Sequence, residues 1–179
     1  QVFVYAKDRP GLLSDIVSAF DSKNVNVVDA HIMDTKNSYV ADTFIILEQD
    51  GSLIDSSTRR EAIANTVSNV IQQEISVPSC SKRVPRQIKQ FTIAVQVRFM
   101  DSNSKKRDLL EVTALDTPGL LAKIANVFKE QNIVLFTAKI STIGEKAEDI
   151  FKISNNDGEK LTEDQKDDLS KALKLTLEN

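Results

Sequence analysis

An α+β fold built twice over, each copy with an antiparallel sheet, is predicted by an internal repeat and by the order of elements inside it. The motif Asp-x-Pro-Gly-Leu-Leu occurs at residues 8–13 and again at 116–121. With Asp8 laid on Asp116, Ile16 matches Ile124, Phe20 matches Phe128, Asn24 matches Asn132, Ala30 matches Ala138 and Ile32 matches Ile140. Dropping one residue from a turn extends the match to Asp42 with Asp149, Phe44 with Phe151, and Asp50-Gly51 with Asp157-Gly158. One small unit is therefore duplicated, and its function belongs to what the two copies do together.

In the first copy, residues 2–6 form an apolar run that predicts a strand. Pro10 and Gly11 then open a helix in which Leu13, Ile16, Val17 and Phe20 are spaced for one buried face. Proline suits a helix start because its missing N–H is not needed there. Asn24 ends the helix, and residues 25–33 predict a second strand with Asn26, Val28, Ala30 and Ile32 on one face. The second copy repeats that face as Val134, Phe136, Ala138 and Ile140. A turn at 36–38 leads to a third strand over 39–48, which Asp50-Gly51 closes. A second helix follows, with Ile63, Thr66, Val67, Val70 and Ile71 at helical spacing and Ser56, Ser57 and Thr58 as candidate caps.

Strand, helix, strand, strand, helix lacks only a final strand to make the ferredoxin-like βαββαβ order. Residues 91–99 alternate cleanly, with Phe91, Ile93, Val95, Val97 and Phe99 on one face, and predict a strand. It either completes the first unit or folds back through the polar turn at 101–107 onto residues 109–115 as a hairpin of the second. The second option gains weight because residues 173–179 are barely long enough for a strand. The chain thus divides into a first unit at 1–77, a connector with the strand at 78–106, and a second unit at 107–179. Within the connector, residues 76–90 carry Lys82, Arg83, Arg86 and Lys89 without interleaved aromatic residues, the pattern of a solvated linker and not of a nucleic-acid patch.

Composition narrows the function classes. Over 179 residues the formal charge is −3, with acids and bases interspersed, so no field favours nucleic acid or an anionic membrane. One cysteine, Cys80, excludes an intramolecular disulfide and a multi-cysteine zinc cage. A reducing, cytoplasmic setting is expected. No apolar stretch approaches the roughly 20 residues that span a bilayer. Gln1 opens the chain in mid-strand without methionine, as in a piece of a longer protein.

Catalysis by this chain is not expected. His31 is its one histidine, on a strand, and no nucleophile elbow or phosphate loop of Walker type is present. No catalytic or metal-ligating set is predicted, and no cofactor. The repeated loop does offer helix N-termini at Gly11, Leu12, Leu13 and at Gly119, Leu120, Leu121, whose amides and helix dipole suit a carboxylate. Glycine admits close approach to the backbone, and Asp8 or Asp116 can accept from an ammonium. An α-amino acid carries both charges. A plain helix-start signature would preserve the same residues.

Motif, element order and repeat together resemble the ACT domain, a ferredoxin-like regulatory module that commonly binds amino acids between paired copies. The segments VPRQIKQF at 84–91, LEVTALDTPGLLA at 110–122 and AKISTIGEKAEDIF at 138–151 are similar to the tandem ACT region of bifunctional uridylyltransferase/uridylyl-removing enzymes. That resemblance implies a regulatory region that senses glutamine. It also implies a parent nucleotidyltransferase and hydrolase that uses magnesium and modifies the PII nitrogen-signalling protein. Carried over by residue, the ligand loops are Asp8, Arg9, Gly11, Leu12 and Leu13, and Asp116, Gly119, Leu120 and Leu121. Asn26 matches the asparagine that often starts the second strand and reaches the ligand. The second unit places Val134 there, with Asn132 two residues earlier, so the pockets are expected to be unequal or a single pocket shared, with the Asn26 pocket the tighter and Asp8 at its ammonium. An interaction module that pairs subunits by ACT–ACT association, or docks PII without a ligand of its own, is the other class. A nucleic-acid binder of this shape would need aromatic residues on its sheet, and none are expected.

Overall fold

The computed structural model describes residues 1–9, 11–33, 38–73, 93–117 and 119–178. Its first unit runs β1 (Val2–Lys7), α1 (Leu12–Ser22), β2 (Val25–His31), β3 (Tyr39–Glu48) and α2 (Ser57–Gln73). The second runs β4 (Gln96–Met100), β5 (Asp108–Leu115), α3 (Leu120–Glu130), β6 (Val134–Lys139), β7 (Thr142–Ile143), β8 (Lys146–Ser154) and α4 (Glu163–Leu177). The strands make one antiparallel sheet in the order β1-β3-β2-β6-β8-β5-β4, with β7 added beside β8. The expected α+β architecture of two ferredoxin-like units is present, and the two half-sheets are joined edge to edge.

The apolar spacing of α1 and α3 explains their packing. Ile16 and Phe20 are fully buried, as are their repeat partners Ile124 and Phe128 to within a few per cent. Phe20 meets Phe44 edge-on with ring centroids 5.3 Å apart, and Phe128 meets Phe151 at the same 5.3 Å. Such edge-to-face pairs add about 0.5–1.5 kcal/mol beyond the area they bury. Both repeat copies thus lock helix to sheet with the same ring pair. Helix α1 also packs against α3, and the buried residues of both units merge into one apolar cluster.

The alternating strand at 91–99 is shorter in the fold. Residues 91 and 92 lie outside the described residues, 93–95 belong to no strand, and β4 begins at Gln96. It pairs with β5 as a hairpin, Val97 opposite Val112 and Phe99 opposite Leu110. The fourth sheet position of the second unit is therefore supplied from before its first strand, and the C-terminal segment is free to become α4. Thr162 caps that helix in a reciprocal box with Gln165, and Leu169 and Leu173, one turn apart, are fully buried. Pro10, Pro118, the basic connector with Cys80, and residues 34–37, which include 36 and 37 of the predicted turn, lie outside the described residues.

The predicted face of β2 is corrected. A bulge between Val27 and Asp29 inserts Val28 into the strand, so Val25, Val27 and Ala30 point to the core while Asn26 and His31 are exposed. Counting every second residue therefore failed at Val28. The second copy has the same irregularity between Leu135 and Thr137, which sends Leu135 and not Val134 or Phe136 inward beside Ala138. Each bulge has a purpose: the carbonyl of Val28 accepts from the Ile140 amide at 3.2 Å, and that of Phe136 from the Ile32 amide at 2.8 Å. These bonds cross from one unit to the other.

One surface expectation also changes, and another stands. Phe3 and Tyr5 on β1 are 66% and 61% exposed, and Tyr5 stacks on Tyr39 at 5.1 Å, so the first unit does present aromatic residues on its open sheet face. His31 sits on an exposed face with Asp29 Oδ2 3.9 Å from its Nε2, a solvated pair. Among the described residues, no helix is long and apolar enough to cross a membrane.

Candidate functional site

Each repeated motif places glycine at the helix N-cap, not within the helix. Gly11 and Gly119 adopt φ of 84° and 83°, a left-handed conformation that costs an L-residue with a side chain about 1–2 kcal/mol. The first helix starts at Leu12, after the Pro10 and Gly11 expected to open it, and the second starts at the matching Leu120. Their own amides close the loop by donating to the carbonyls of Arg9 and Thr117, at 3.2 and 3.0 Å. In α3 the neighbouring amides of Gly119 and Leu121 flank that bond at the same helix N-terminus, where the backbone dipoles favour an anion.

A cavity of about 450 Å³ opens at the seam between the units. The second unit supplies Asp116, Thr117, Gly119, Leu120 and Leu121 from its motif loop, with Ile140, Thr142 and Asp149. The first unit supplies Val17 and Asp21 from α1, Asn24, Asn26 and Val28 from around β2, and Gln49 and Gly51 from the turn after β3. The walls differ in chemistry. Asp21 Oδ2 is the atom nearest the Gly119 backbone, and Asp116 is close enough to Asp149 to act on its carboxyl, while Asn24, Asn26 and Gln49 bring amide side chains to the lining. Among the described residues, no lysine or arginine lines the cavity.

Asp149 is 1% exposed and accepts from the Ser141 amide at 3.3 Å. Burial pushes its carboxyl up to about 7, against the pull of the Ser141 hydrogen bond, and the nearby Asp116 charge raises it further. Its repeat partner Asp42, 2% exposed, accepts from the Met33 amide in the same way. A buried acid at this strand position is thus a repeated feature. The alignment matched the two aspartates, and the place of Asp149 on the same alternating face as Ala147, Phe151 and Ile153 was the available signal for it.

The sequence-predicted residues divide between two places. Asn26, Asp116, Gly119, Leu120 and Leu121 come together in the cavity. Asp8, Gly11, Leu12 and Leu13 do not belong to it. Arg9 is committed to its own unit, with Nη1 2.6 Å from Asp15 Oδ2 and Nη2 donating to the Val70 carbonyl at 3.3 Å. Asn132 sits exposed at the exit of α3 with φ of 54°, the counterpart of Asn24 at 55°, and only Asn24 lines the cavity. Over Gly11 lies Lys129 from the other unit: its Nζ, Cε and Cδ come within 2.7, 3.1 and 3.2 Å of where a Cβ would stand. At Gly119 the nearest such atom is Asp21 Oδ2, at 3.9 Å.

Among known proteins, the ACT domain family matches residues 1–62 and 109–171 of this chain. Over 97% of its length the chain is 41% identical to the bifunctional uridylyltransferase/uridylyl-removing enzyme of Vibrio cholerae, of which it covers 20%. It is likewise 41% identical over 99% of its length to the enzyme of the same name from Photobacterium profundum, again covering 20%. The chain spans about a fifth of the length of these relatives. An aspartate kinase from Synechocystis superposes with a TM-score of 0.51 at 16% identity, over 96% of this chain and 25% of that one, which shows a common fold.

Proposed function

This chain belongs to the ACT-domain family, and on that premise we propose that it is the effector-sensing module of a bifunctional uridylyltransferase/uridylyl-removing enzyme, with glutamine as effector and PII as the protein modified. One observation carries the proposal: a cavity at the seam joins a helix N-terminus, a carboxyl cluster and an amide-rich wall. Glutamine has a group for each. Its carboxylate suits the amides at Gly119 and Leu121, its ammonium suits Asp116 and its neighbours, and its side-chain amide can both donate to and accept from Asn24, Asn26 and Gln49. A ligand held there touches both units. It binds one relative arrangement of the units more tightly than others, and that difference in binding free energy is what an attached enzyme can read.

Calorimetry of this chain with glutamine, glutamate and the other common amino acids tests the proposal. Glutamine is expected to bind with Kd of about 0.1 to 1 mM, or roughly −5.5 to −4 kcal/mol, and glutamate more weakly because its second carboxylate meets no base. Silence with every amino acid at several tens of millimolar would replace the sensing role with that of an interaction module.

A further inference from the structure

The two motif loops are equivalent in sequence and face equivalent parts of the opposite unit, yet what covers them differs. Asp21 and Lys129 are matched positions of the repeat, each near the C-terminal end of the helix that follows a motif loop, and each reaches toward the glycine of the other loop. Asp21 leaves Gly119 open and adds a buried carboxyl oxygen beside it. Lys129 runs its stem across Gly11 and places its ammonium 2.7 Å from the position a Cβ would take. The exposed Lys129 side chain therefore lies against the Gly11 backbone and brings a cation belonging to the protein to that loop.

We propose that Lys129 makes this duplicated module a one-site sensor, its side chain occupying at the Gly11 loop the place that an amino-acid ligand takes at the Gly119 loop. The identity of that ligand rests on the functional proposal above, but the occupation of the Gly11 loop does not. The neighbouring chemistry agrees. Val134 replaces the amide of Asn26 in the second unit, and Arg9, beside the covered loop, is spent on Asp15 and Val70. A charge reversal at one matched pair of positions thus separates an open acidic site from a closed one.

Nuclear magnetic resonance of the 179-residue chain tests this in two independent ways. Without ligand, cross-relaxation between the Lys129 side-chain methylenes and the Gly11 α-protons is expected, and its absence overturns the proposal whatever the chain binds. With glutamine, the amides of Gly119 and Leu121 are expected to shift on saturation while those of Gly11, Leu12 and Leu13 stay in place. In the double variant Lys129→Asp, Val134→Asn, which copies the open site, the Gly11 to Leu13 amides should also titrate, raising the stoichiometry from one to two. The reciprocal Asp21→Lys should weaken binding at the Gly119 loop at least tenfold in a protein whose spectrum remains folded. Titration of Gly11 to Leu13 in the unaltered chain at similar affinity, or no second site in a folded double variant, would refute the closure. If no amino acid shifts any amide, the glutamine proposal fails alone, and the Lys129–Gly11 cross-relaxation still decides this one.

Discussion

Ala30 and Ala138, the same position of the repeat, sit directly opposite each other where β2 pairs with β6. The pairs on either side, Asp29 with Lys139 and His31 with Thr137, are exchanged by the same symmetry, so a pseudo-two-fold axis passes between the alanines. Each motif loop then faces the β2-type strand of the other unit. That crossing is why Asn26 shares its cavity with Asp116 and not with Asp8, the aspartate of its own unit.

Ligand contacts should follow the crossed arrangement. Losing a neutral hydrogen bond costs about 0.5–1.5 kcal/mol, and losing one to a charged group about 1.5–3. Asn26→Ala is therefore expected to weaken glutamine roughly two- to tenfold, and Asp116→Ala roughly ten- to a hundredfold. Asp8→Ala should change affinity less than twofold, since Asp8 is outside the cavity. Calorimetry on the three variants checks the order. A loss from Asp8→Ala matching that from Asp116→Ala would assign the ammonium to the wrong loop.

Asp149 should give the chain a pH-dependent stability. Its carboxyl is raised from 3.8 to about 7, by burial first, so the folded state holds the proton more tightly than the unfolded chain. That contribution is complete below about pH 4 and is lost as pH rises through 7, over a span on the order of 4 kcal/mol at most. Asp149→Asn removes the dependence. Relative to the unaltered chain, the variant should gain stability between pH 5 and pH 8 in urea unfolding. Parallel curves for the two proteins would show that Asp149 does not titrate in this window.

Asp108 holds the connection into α4. Its Oδ2 accepts from the Leu161 amide at 2.8 Å in a buried setting, next to the residue that caps the helix. Asp108→Ala leaves that N–H without an acceptor, at a cost of about 1–3 kcal/mol. A fall in the unfolding midpoint with unchanged glutamine affinity is expected, because the bond lies outside the cavity. Unchanged stability would mean water replaces the carboxylate there.

Much of this architecture was legible because local signals agreed with tertiary ones. The third strand at 39–48 and the helix spacing around Ile16 and Phe20 are borne out by burial on one face. The β2 face was not legible, because the bulge falls at Val28 and Phe136, residues with no turn signature, and exists to carry a hydrogen bond across the seam. Likewise α4 announced itself through Thr162 and Gln165, a capping box that strand reasoning about residues 173–179 passed over. For the site, the motif loops were visible as residue types. Which loop meets which asparagine depends on the symmetry of assembly, which no local pattern encodes.

The alanine pair at the axis should govern communication between the units. Ala30 and Ala138 are 2% and 1% exposed, and among the described residues β2 and β6 share three directly opposed pairs. Both alanines line a small apolar cavity of about 10 Å³, less than the added carbons of a leucine need, and overpacking of this kind typically costs about 1–3 kcal/mol. Ala138→Leu is expected to be less stable by that amount and to relieve the strain by shifting one half-sheet against the other. Ala138 does not line the larger cavity at the seam, so a change in direct ligand contact is not available to it. Any fall in glutamine affinity must then come from the relative placement of the Asp116 loop and Asn26. A several-fold loss in Ala138→Leu, with Ala30→Leu behaving alike as its symmetry mate, is the expected result from calorimetry on folded variants. Full affinity in both destabilised variants would show that the cavity tolerates movement at the seam, and the coupling of ligand to unit arrangement would have to be sought at the α1–α3 contact instead.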